Sequence, residues 1–320
     1  MTDTTAARTP RSERPAPGER SARGGLGFAA SAYLLWGLLP IFFIALAPAG
    51  PIEVVAWRVV FSLVFCAVLI TVTRSWAHVA VVLRSGRTMA LMVLASLLIL
   101  VNWQTYVFGA LSGQVVDAAL GYFINPIFTV LIGVFLLRER LRPAQWTAVG
   151  IAAVAVVVLA VGHGSVPWIA LILATSFSLY GYLKKRVGGT VDALSGLTIE
   201  SLTLLPLAAA ALVIVGATTG LAFGSAGIPH IVLIVLSGVI TAAPLLFFAA
   251  ASRRLPLVTM GLVQFLAPVL QFVVGVALLR EEMPLERWIG FGLVWLALVV
   301  LVVDMVASAR SSRKTTPGPR

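Results

Sequence analysis

Arg58 and Glu200 are charged residues inside long apolar stretches of the sequence, and they lie 142 positions apart. Charged side chains in apolar spans are costly, so they are functional candidates by default. We interpret Arg58 as an anchor for an anionic or carbonyl group, and Glu200 as a proton-coupling site whose pKa burial would raise. The alternative is that each side chain snorkels or pairs with backbone groups. A direct bridge between the two residues also stays open.

Uncharged polar and aromatic side chains in the same apolar stretches form a second group of candidates. Amides donate and accept hydrogen bonds and aromatic rings offer flat apolar faces, so together they suit a small amphipathic or aromatic solute. The alternative is that the amides join helices by interhelical hydrogen bonds. The candidate substrate-binding residues are Trp36, Arg58, Asn102, Gln104, Asn125, Gln264 and Gln271, with further aromatic faces from Trp57, Trp103, Tyr106, Tyr122 and Tyr180.

The composition indicates the kind of element that must position these residues. The chain has 320 residues, of which 60% are hydrophobic and 11% charged, with a mean hydropathy of +1.03. That is too little polar surface to cover a globular particle in water, so we predict a membrane protein. The net charge of +11 is scattered between apolar runs, which argues against nucleic acid as a partner. A single cysteine, Cys66, excludes an intrachain disulfide, and no spacing typical of metal ligands or a bound cofactor is present.

The apolar runs predict an all-α polytopic membrane protein with ten transmembrane helices, because about 20 apolar residues cross a bilayer as a helix. The tails, residues 1–25 and 308–320, are expected to be disordered and cytoplasmic. Two units of five helices are expected, over residues 26–162 and 163–307. The predicted spans are 26–46, 52–73, 88–109, 115–136, 144–162, 167–183, 194–215, 230–251, 257–279 and 287–307.

The basic residues predict the orientation. Nearly all of the 23 Lys and Arg residues fall on one side if the amino terminus is cytoplasmic, and only Arg280 and Arg287 fall outside. The positive-inside rule therefore predicts a multi-pass membrane protein with both termini in the cytoplasm.

One helical motif occurs twice in the sequence. The stretch PIFTVLIGVFLLRE at 126–139 recurs as PVLQFVVGVALLRE at 268–281, and the spacing between them covers five predicted helices. Five is odd, so the second unit enters the membrane from the opposite side and the two units are inverted. Pro126 and Pro268 fall at the midpoints of their helices, where each removes a backbone hydrogen bond, and we interpret them as hinges. Tolerated bends are the alternative.

Longer stretches resemble a known family. SAYLLWGLLPIFF, NWQTYVFGALSGQVVDAALGYFINPIFTVLIG, SFSLYGYLKK, GLTIESLTLLP and SGVITAAPLLFFAAASRRLPLVTMGLVQFLAPVLQF are similar to the RarD branch of the EamA-type transporters, in the drug/metabolite transporter superfamily. The resemblance covers residues 26 to 307. It implies ten helices arranged as two inverted five-helix EamA repeats in the inner, or plasma, membrane, and it leaves the physiological substrate open.

Inverted repeats are typical of alternating-access transporters, whose substrate site lies at the midplane between the repeats. We therefore predict a secondary transporter for a small amphipathic metabolite or drug, without enzymatic activity. Its partners are a small-molecule substrate and the lipid bilayer, and a homodimer is left open. Two other classes are weighed against it: a membrane enzyme acting on a lipid-like substrate, and a passive channel.

Overall fold

The protein is helical throughout the part that the computed structural model describes, which is residues 17–138, 141–162, 166–255 and 257–314. These residues form thirteen α-helices and one π-helical segment, and no strand occurs among them. The helices are α1 (Pro17–Gly37), α2 (Leu39–Ile44), α3 (Pro51–Val72), α4 (Trp76–Arg84), α5 (Gly86–Leu111), α6 (Val115–Leu137), α7 (Pro143–Gly162), α8 (Trp168–Val187), α9 (Ala193–Thr218), α10 (Ile228–Ser252), α11 (Leu257–Val263), α12 (Leu266–Val273), the π-helical segment (Val274–Leu278) and α13 (Leu285–Lys314).

Eight helical stretches in the described residues are long and apolar enough to cross a membrane. They coincide with eight of the ten predicted spans. Seven belong to α3, α5, α6, α7, α9, α10 and α13, and the eighth, Thr259–Leu278, runs through α11, α12 and the π-helical segment. The chain is therefore a multi-pass helical membrane protein. The other two predicted spans, 26–46 and 167–183, fall on α1 with α2 and on α8.

The bounds of the helices at these two spans, and of α13, differ from the predicted bounds. α1 begins at Pro17, upstream of the expected boundary at residue 26, and proline is well tolerated in the first turn of a helix. Leu38 then separates α1 from α2, near Pro40, which lacks the N–H that would continue the ladder. α8 ends with Lys184, Lys185 and Arg186 in its last turn. At the other end of the chain α13 extends to Lys314, beyond the expected boundary at residue 308.

The helices pack in a pattern of neighbours that the site depends on. α3 packs against α9 and α10, α1 packs against α10 and α12, and α8 packs against α5 and α6. α7 pairs with α13, and α6 also contacts α12. Small residues let some of these backbones approach closely. Gly238 of α10 sits so near the Phe61 carbonyl of α3 that a side-chain carbon there would collide with it.

Both copies of the repeated motif end in the same backbone conformation. Arg138 and Arg280 are left-handed, with φ of 54° and 55°; Arg138 directly follows α6, and Arg280 lies two residues after the end of the π-helical segment. Glu281, the next residue of the second copy, accepts hydrogen bonds from the backbone N–H groups of Val115 (2.6 Å) and Val116 (2.9 Å). The second motif therefore caps the amino end of the helix that carries the first. Glu139, its counterpart, lies outside the described residues.

Candidate functional site

Arg58 lies on α3 with 5% of its surface exposed. Its Nε donates a hydrogen bond of 2.6 Å to Thr241 Oγ1 on α10. The guanidinium carbon lies 4.2 Å from the ring centroid of Trp103 and 5.5 Å from that of Phe43. Rings at these distances attract a cation through their negative faces. Three neighbouring elements thus fix the position of the guanidinium group.

The charge of Arg58 has no acidic partner in the described part of the chain. The ion pairs formed by the described side chains are Arg142–Asp304, Lys184–Glu200 and Arg287–Asp117. The hydrogen bond to Thr241 uses one of the five N–H donors of the group, and the terminal nitrogens donate to no described residue. A buried guanidinium with unused N–H donors can donate hydrogen bonds to an acceptor on a bound ligand.

Glu200 pairs with a lysine rather than with Arg58. Its carboxylate, 2% exposed on α9, lies 2.9 Å from Lys184 Nζ and accepts a hydrogen bond of 3.2 Å from the Tyr180 hydroxyl. Lys184 and Tyr180 are four residues apart, so one turn of α8 brings both to the same face. Gly196 makes room for the lysine, because a Cβ there would lie 2.6 Å from Lys184 Nζ. The direct bridge to Arg58 that the sequence left open is not formed.

A row of aromatic rings runs from Arg58 to Glu200. Ring centroids lie 5.9 Å apart between Phe43 and Tyr106, and 5.6 Å apart between Tyr106 and Tyr122. Phe177 continues the row at 5.9 Å from Tyr122, and Tyr180 lies 6.0 Å beyond it. The buried hydroxyl of Tyr106 has no hydrogen-bond partner among the described residues. Ring-to-ring contacts therefore connect the two charged groups across one region of the protein.

Asn102 joins three helices inside this region. Its Nδ2 donates to the Leu173 carbonyl (3.2 Å) and Ser176 Oγ (3.1 Å) on α8, while its Oδ1 accepts from the Tyr122 hydroxyl (3.1 Å) on α6. Asn125 makes a similar link, because its Oδ1 accepts a hydrogen bond of 2.6 Å from Ser178 Oγ. Both amides therefore form interhelical hydrogen bonds, which was the alternative to a role in substrate binding.

Gln271 and Trp36 meet where α1 breaks. Because Pro40 has no N–H, the carbonyl of Trp36, four residues earlier, lacks its helical donor. Gln271 Nε2 supplies one at 3.0 Å. The ring of Trp36 packs against Phe248, 6.0 Å between centroids. This amide therefore holds α12 against the broken first helix.

Gln104 and Gln264 lie in other surroundings. Gln104 is partly exposed and shares a stripe of α5 with Leu97, Val101 and Phe108, whose side chains are 42%, 48% and 38% exposed. Three- and four-residue spacing places these positions on one outward face of the helix. Gln104 therefore points away from the other candidates. Gln264 separates α11 from α12 and lines a cavity.

That cavity has a volume of about 270 Å³. Asn125, Pro126, Thr129 and Gln264 line one part of it, and the Arg142–Asp304 ion pair, 2.6 Å between charged atoms, lines another. Tyr122, Asn125 and Thr129 follow one another at three- and four-residue spacing, so one face of α6 leads from the cavity to the aromatic row.

The two repeated prolines lie in different surroundings. Pro126 is inside the unbroken helix α6. Pro268 is the third residue of α12, directly after the break that ends α11, and the π-helical segment follows six residues later. A π segment inserted in a helix commonly marks a functional site.

The sequence did not identify three residues that shape this region. Lys184 lies just after the predicted span 167–183, among the basic residues assigned to the cytoplasmic side; its four-residue spacing from Tyr180 was the available signal. Thr241 and Phe43 gave no signal, because a single threonine or phenylalanine in an apolar run is ordinary.

Comparison with known proteins defines the class to which this fold and region belong. The profile of the EamA-like transporter family matches residues 23–161. Protein RarD of Streptomyces exfoliatus is 44% identical over 295 residues, covering 92% of this chain and 93% of that protein. Protein RarD of Escherichia coli is 32% identical, covering 92% and 99%. An uncharacterized transporter of Vibrio cholerae is 39% identical, covering 93% and 98%.

A protein of known crystal structure shares the fold, with a TM-score of 0.56 at 17% sequence identity. The alignment covers 91% of this chain and 98% of that one. The class is thus a family of membrane transporters. The chain belongs to the RarD branch of the EamA-like transporter family, as its sequence resemblance indicated.

Proposed function

We propose that the protein is a secondary transporter that moves a small amphipathic metabolite or drug across the plasma membrane by alternating access. The observation that carries this proposal is the duplicated packing of the helices. α8 packs against α5 and α6, and α1 packs against α10 and α12. A shift of about 142 residues along the sequence converts each of these pairs into the other.

Three further contacts join elements that are each other's counterparts. α3 and α9 are each other's counterparts and pack together, as do α7 and α13, and α6 and α12. This symmetry supports ten helices in two five-helix repeats, over residues 26–162 and 163–307. The family profile ends at residue 161, next to the proposed boundary. Two halves that exchange roles give two related conformations, one open to each side of the membrane.

Within this mechanism Arg58 anchors the solute and Glu200 couples transport to protons. Protonation of Glu200 would neutralise the carboxylate and release Lys184 from its 2.9 Å ion pair, so the contact between α8 and α9 would depend on the proton. The cavity beside Asn125 and Gln264 serves as the entrance on the side of Arg142. The positive-inside rule makes this the cytoplasmic side.

The break beside Pro268 serves as the hinge of the second repeat. A backbone with a missing hydrogen bond bends at lower cost than a continuous helix. Pro126 would be its counterpart in α6, where the helix is unbroken.

Counterflow in proteoliposomes tests the proposal. Vesicles loaded with a metabolite and drug library should accumulate a labelled member transiently, since a carrier exchanges solutes and a channel does not. Glu200→Gln should abolish uptake driven by a pH gradient and keep part of the counterflow, because exchange needs no net proton movement. Glu282→Gln, which changes an exposed carboxylate, is the matched control. Absence of counterflow for every solute would reject the transporter, and unchanged gradient-driven uptake in Glu200→Gln would reject the coupling role.

A further inference from the structure

We propose that the solute bound at Arg58 is an organic anion, whose carboxylate pairs with the guanidinium group and whose apolar body packs on the surrounding rings. This inference rests on the proposed transporter function and specifies the class of its substrate. It follows from the lack of an acidic partner for Arg58 among the described residues, from the geometry of the guanidinium, and from the side chains around it.

Arg58 is a buried cation without an ion-pair partner among the described residues. Among those residues two carboxylates are almost completely buried, Glu53 and Glu200, each 2% exposed. Glu53 accepts hydrogen bonds from the backbone N–H groups of Ala222 (3.1 Å) and Phe223 (2.8 Å). Glu200 is neutralised by Lys184. Neither acid pairs with Arg58, and a charge left unpaired in such surroundings is energetically unfavourable.

The geometry selects a carboxylate as the missing partner. Thr241 fixes the Nε edge at 2.6 Å, and Trp103 and Phe43 fix the position of the group. The edge formed by the two terminal nitrogens is left for a ligand. Two parallel N–H donors match the two oxygens of a carboxylate, and such charge-assisted pairs are stronger than bonds to a neutral carbonyl. A neutral amide would fill the donors and leave the charge unmatched.

The side chains around the guanidinium suit an aromatic or apolar body. Phe43, Trp103 and Tyr106 are all buried; the rings of Phe43 and Trp103 face the guanidinium group, and the ring of Tyr106 packs against Phe43. The Tyr106 hydroxyl adds a buried polar group without a partner among the described residues, which can bond a polar substituent. A carboxylate on a small aromatic body combines all of these features.

Thermal unfolding of the purified protein tests the inference with three matched probes. Phenylacetate, phenylacetamide and phenethylamine share one aromatic body and carry an anionic, a neutral and a cationic group. Phenylacetate should raise the unfolding temperature, and the amide and amine should have no such effect. Arg58→Gln should weaken the response to phenylacetate by at least about tenfold, the factor that 1.4 kcal/mol represents. Equal responses to the acid and the amide, or no response to the acid, would overturn the inference.

Control variants separate binding from folding. Arg186→Gln removes an exposed arginine that lies over the Tyr182 ring at 5.3 Å, so it matches the chemical change and should keep the full response. Arg58→Lys keeps the charge and loses the planar fork, and its affinity should lie between those of the wild type and Arg58→Gln. Arg58→Met should unfold at the same temperature as the ligand-free wild type or higher, because it removes an unmatched charge. A much lower unfolding temperature would assign Arg58 a structural role.

Proteoliposome counterflow with labelled phenylacetate distinguishes this inference from the transporter proposal. If phenylacetate binds through Arg58 and no solute of any charge shows counterflow, the anion site stands and the transporter fails. If neutral solutes show counterflow while organic acids do not, the transporter stands and the anion inference fails. Counterflow of the acid that Arg58→Gln abolishes supports both.

Discussion

Glu200 and Lys184 are the pair on which the second half of the site depends. The carboxylate is buried, whereas the lysine side chain is 26% exposed. Loss of the ion pair would therefore leave the Glu200 charge less solvated than the Lys184 charge. Removing one partner of a buried pair leaves an uncompensated charge, which costs more than the pair itself contributes.

Lys184→Met should therefore destabilise the protein by about 3 kcal/mol, near the lower end of the range for broken buried pairs. The double variant Lys184→Met with Glu200→Gln should recover most of this loss, because no charge is left unpaired. Thermal or denaturant unfolding in detergent measures both effects. Lys185→Met, at the exposed neighbouring position, is the control. Equal stability of the Lys184 and Lys185 variants would contradict this role.

Glu281 provides a second prediction, through pH. Burial raises the pKa of its carboxyl above the ordinary value of 4.5, and the nearby charge of Asp117 adds to this. The N–H groups of Val116 and Val115 and the charge of Arg287 oppose the shift. The folded protein thus holds the proton to higher pH than the unfolded chain does. The contribution of Glu281 to the free energy of unfolding should therefore fall as the pH rises above about 4.5.

The measurement compares the wild type with Glu281→Gln, which does not titrate at this position. The unfolding temperature of the wild type, relative to the variant, should decline as the pH is raised from 4 toward neutrality. Glu282→Gln changes the exposed neighbour and should retain the wild-type pH profile. A difference that stays constant, or grows with pH, would show that the carboxyl is not held protonated by folding.

At the residue level, the sequence identified which polar groups lie inside helices but not what they touch. Arg58 and Glu200 were recognisable because a charge within an apolar run is unusual. Their partners were not, because Thr241 lies 183 positions from Arg58 and no local pattern marks it. The role of Asn102 depends on which way α5 is rotated, and tertiary packing sets that rotation. Gln104, two residues later, was indistinguishable from it and lies on the outward stripe.

At the level of elements, the two copies of the repeated motif differ in a way that their sequences do not reveal. α6 continues through Pro126, whereas the second copy is divided into α11, α12 and a π-helical segment. Both contain proline at the same motif position, so proline alone does not break the helix. The surrounding packing decides whether the freed carbonyl finds another donor. The two copies nevertheless end alike, since Arg138 and Arg280 adopt the same left-handed conformation.

The contact between α12 and the break in α1 yields the third prediction. Gln271→Leu removes the donor that serves the Trp36 carbonyl and should cost about 1–3 kcal/mol, the range for a buried acceptor left unsatisfied. Unfolding in detergent gives the magnitude. Gln104→Leu makes the same chemical change on the outward face of α5, where an apolar side chain suits lipid. It should leave stability unchanged or raise it. Equal losses in both variants would remove the special role of Gln271.

At the scale of the whole molecule, the decisive feature is that the packing repeats while the charges at the repeat ends do not. Arg138 is followed by Glu139, Arg140 and Arg142, whereas Arg280 is followed by two acids, Glu281 and Glu282. Positive residues favour the cytoplasmic side, and acidic residues contribute little to that choice. The corresponding ends of the two copies therefore carry different charge. This difference is expected if one end lies on the cytoplasmic face of the membrane and the other on the outer face.

The last prediction tests this directly. In a Cys66→Ala background, Arg138→Cys should react with a membrane-impermeant maleimide only from the cytoplasmic side, and Glu282→Cys only from the outside. Both positions are exposed, whereas Cys66 is buried, so accessibility reports the side of the membrane rather than burial. Intact cells and inside-out vesicles supply the two comparisons. Labelling of both positions from one side would mean that the repeats are parallel. The two halves could then not exchange inward-open and outward-open conformations, and the case for alternating access would lose its structural basis.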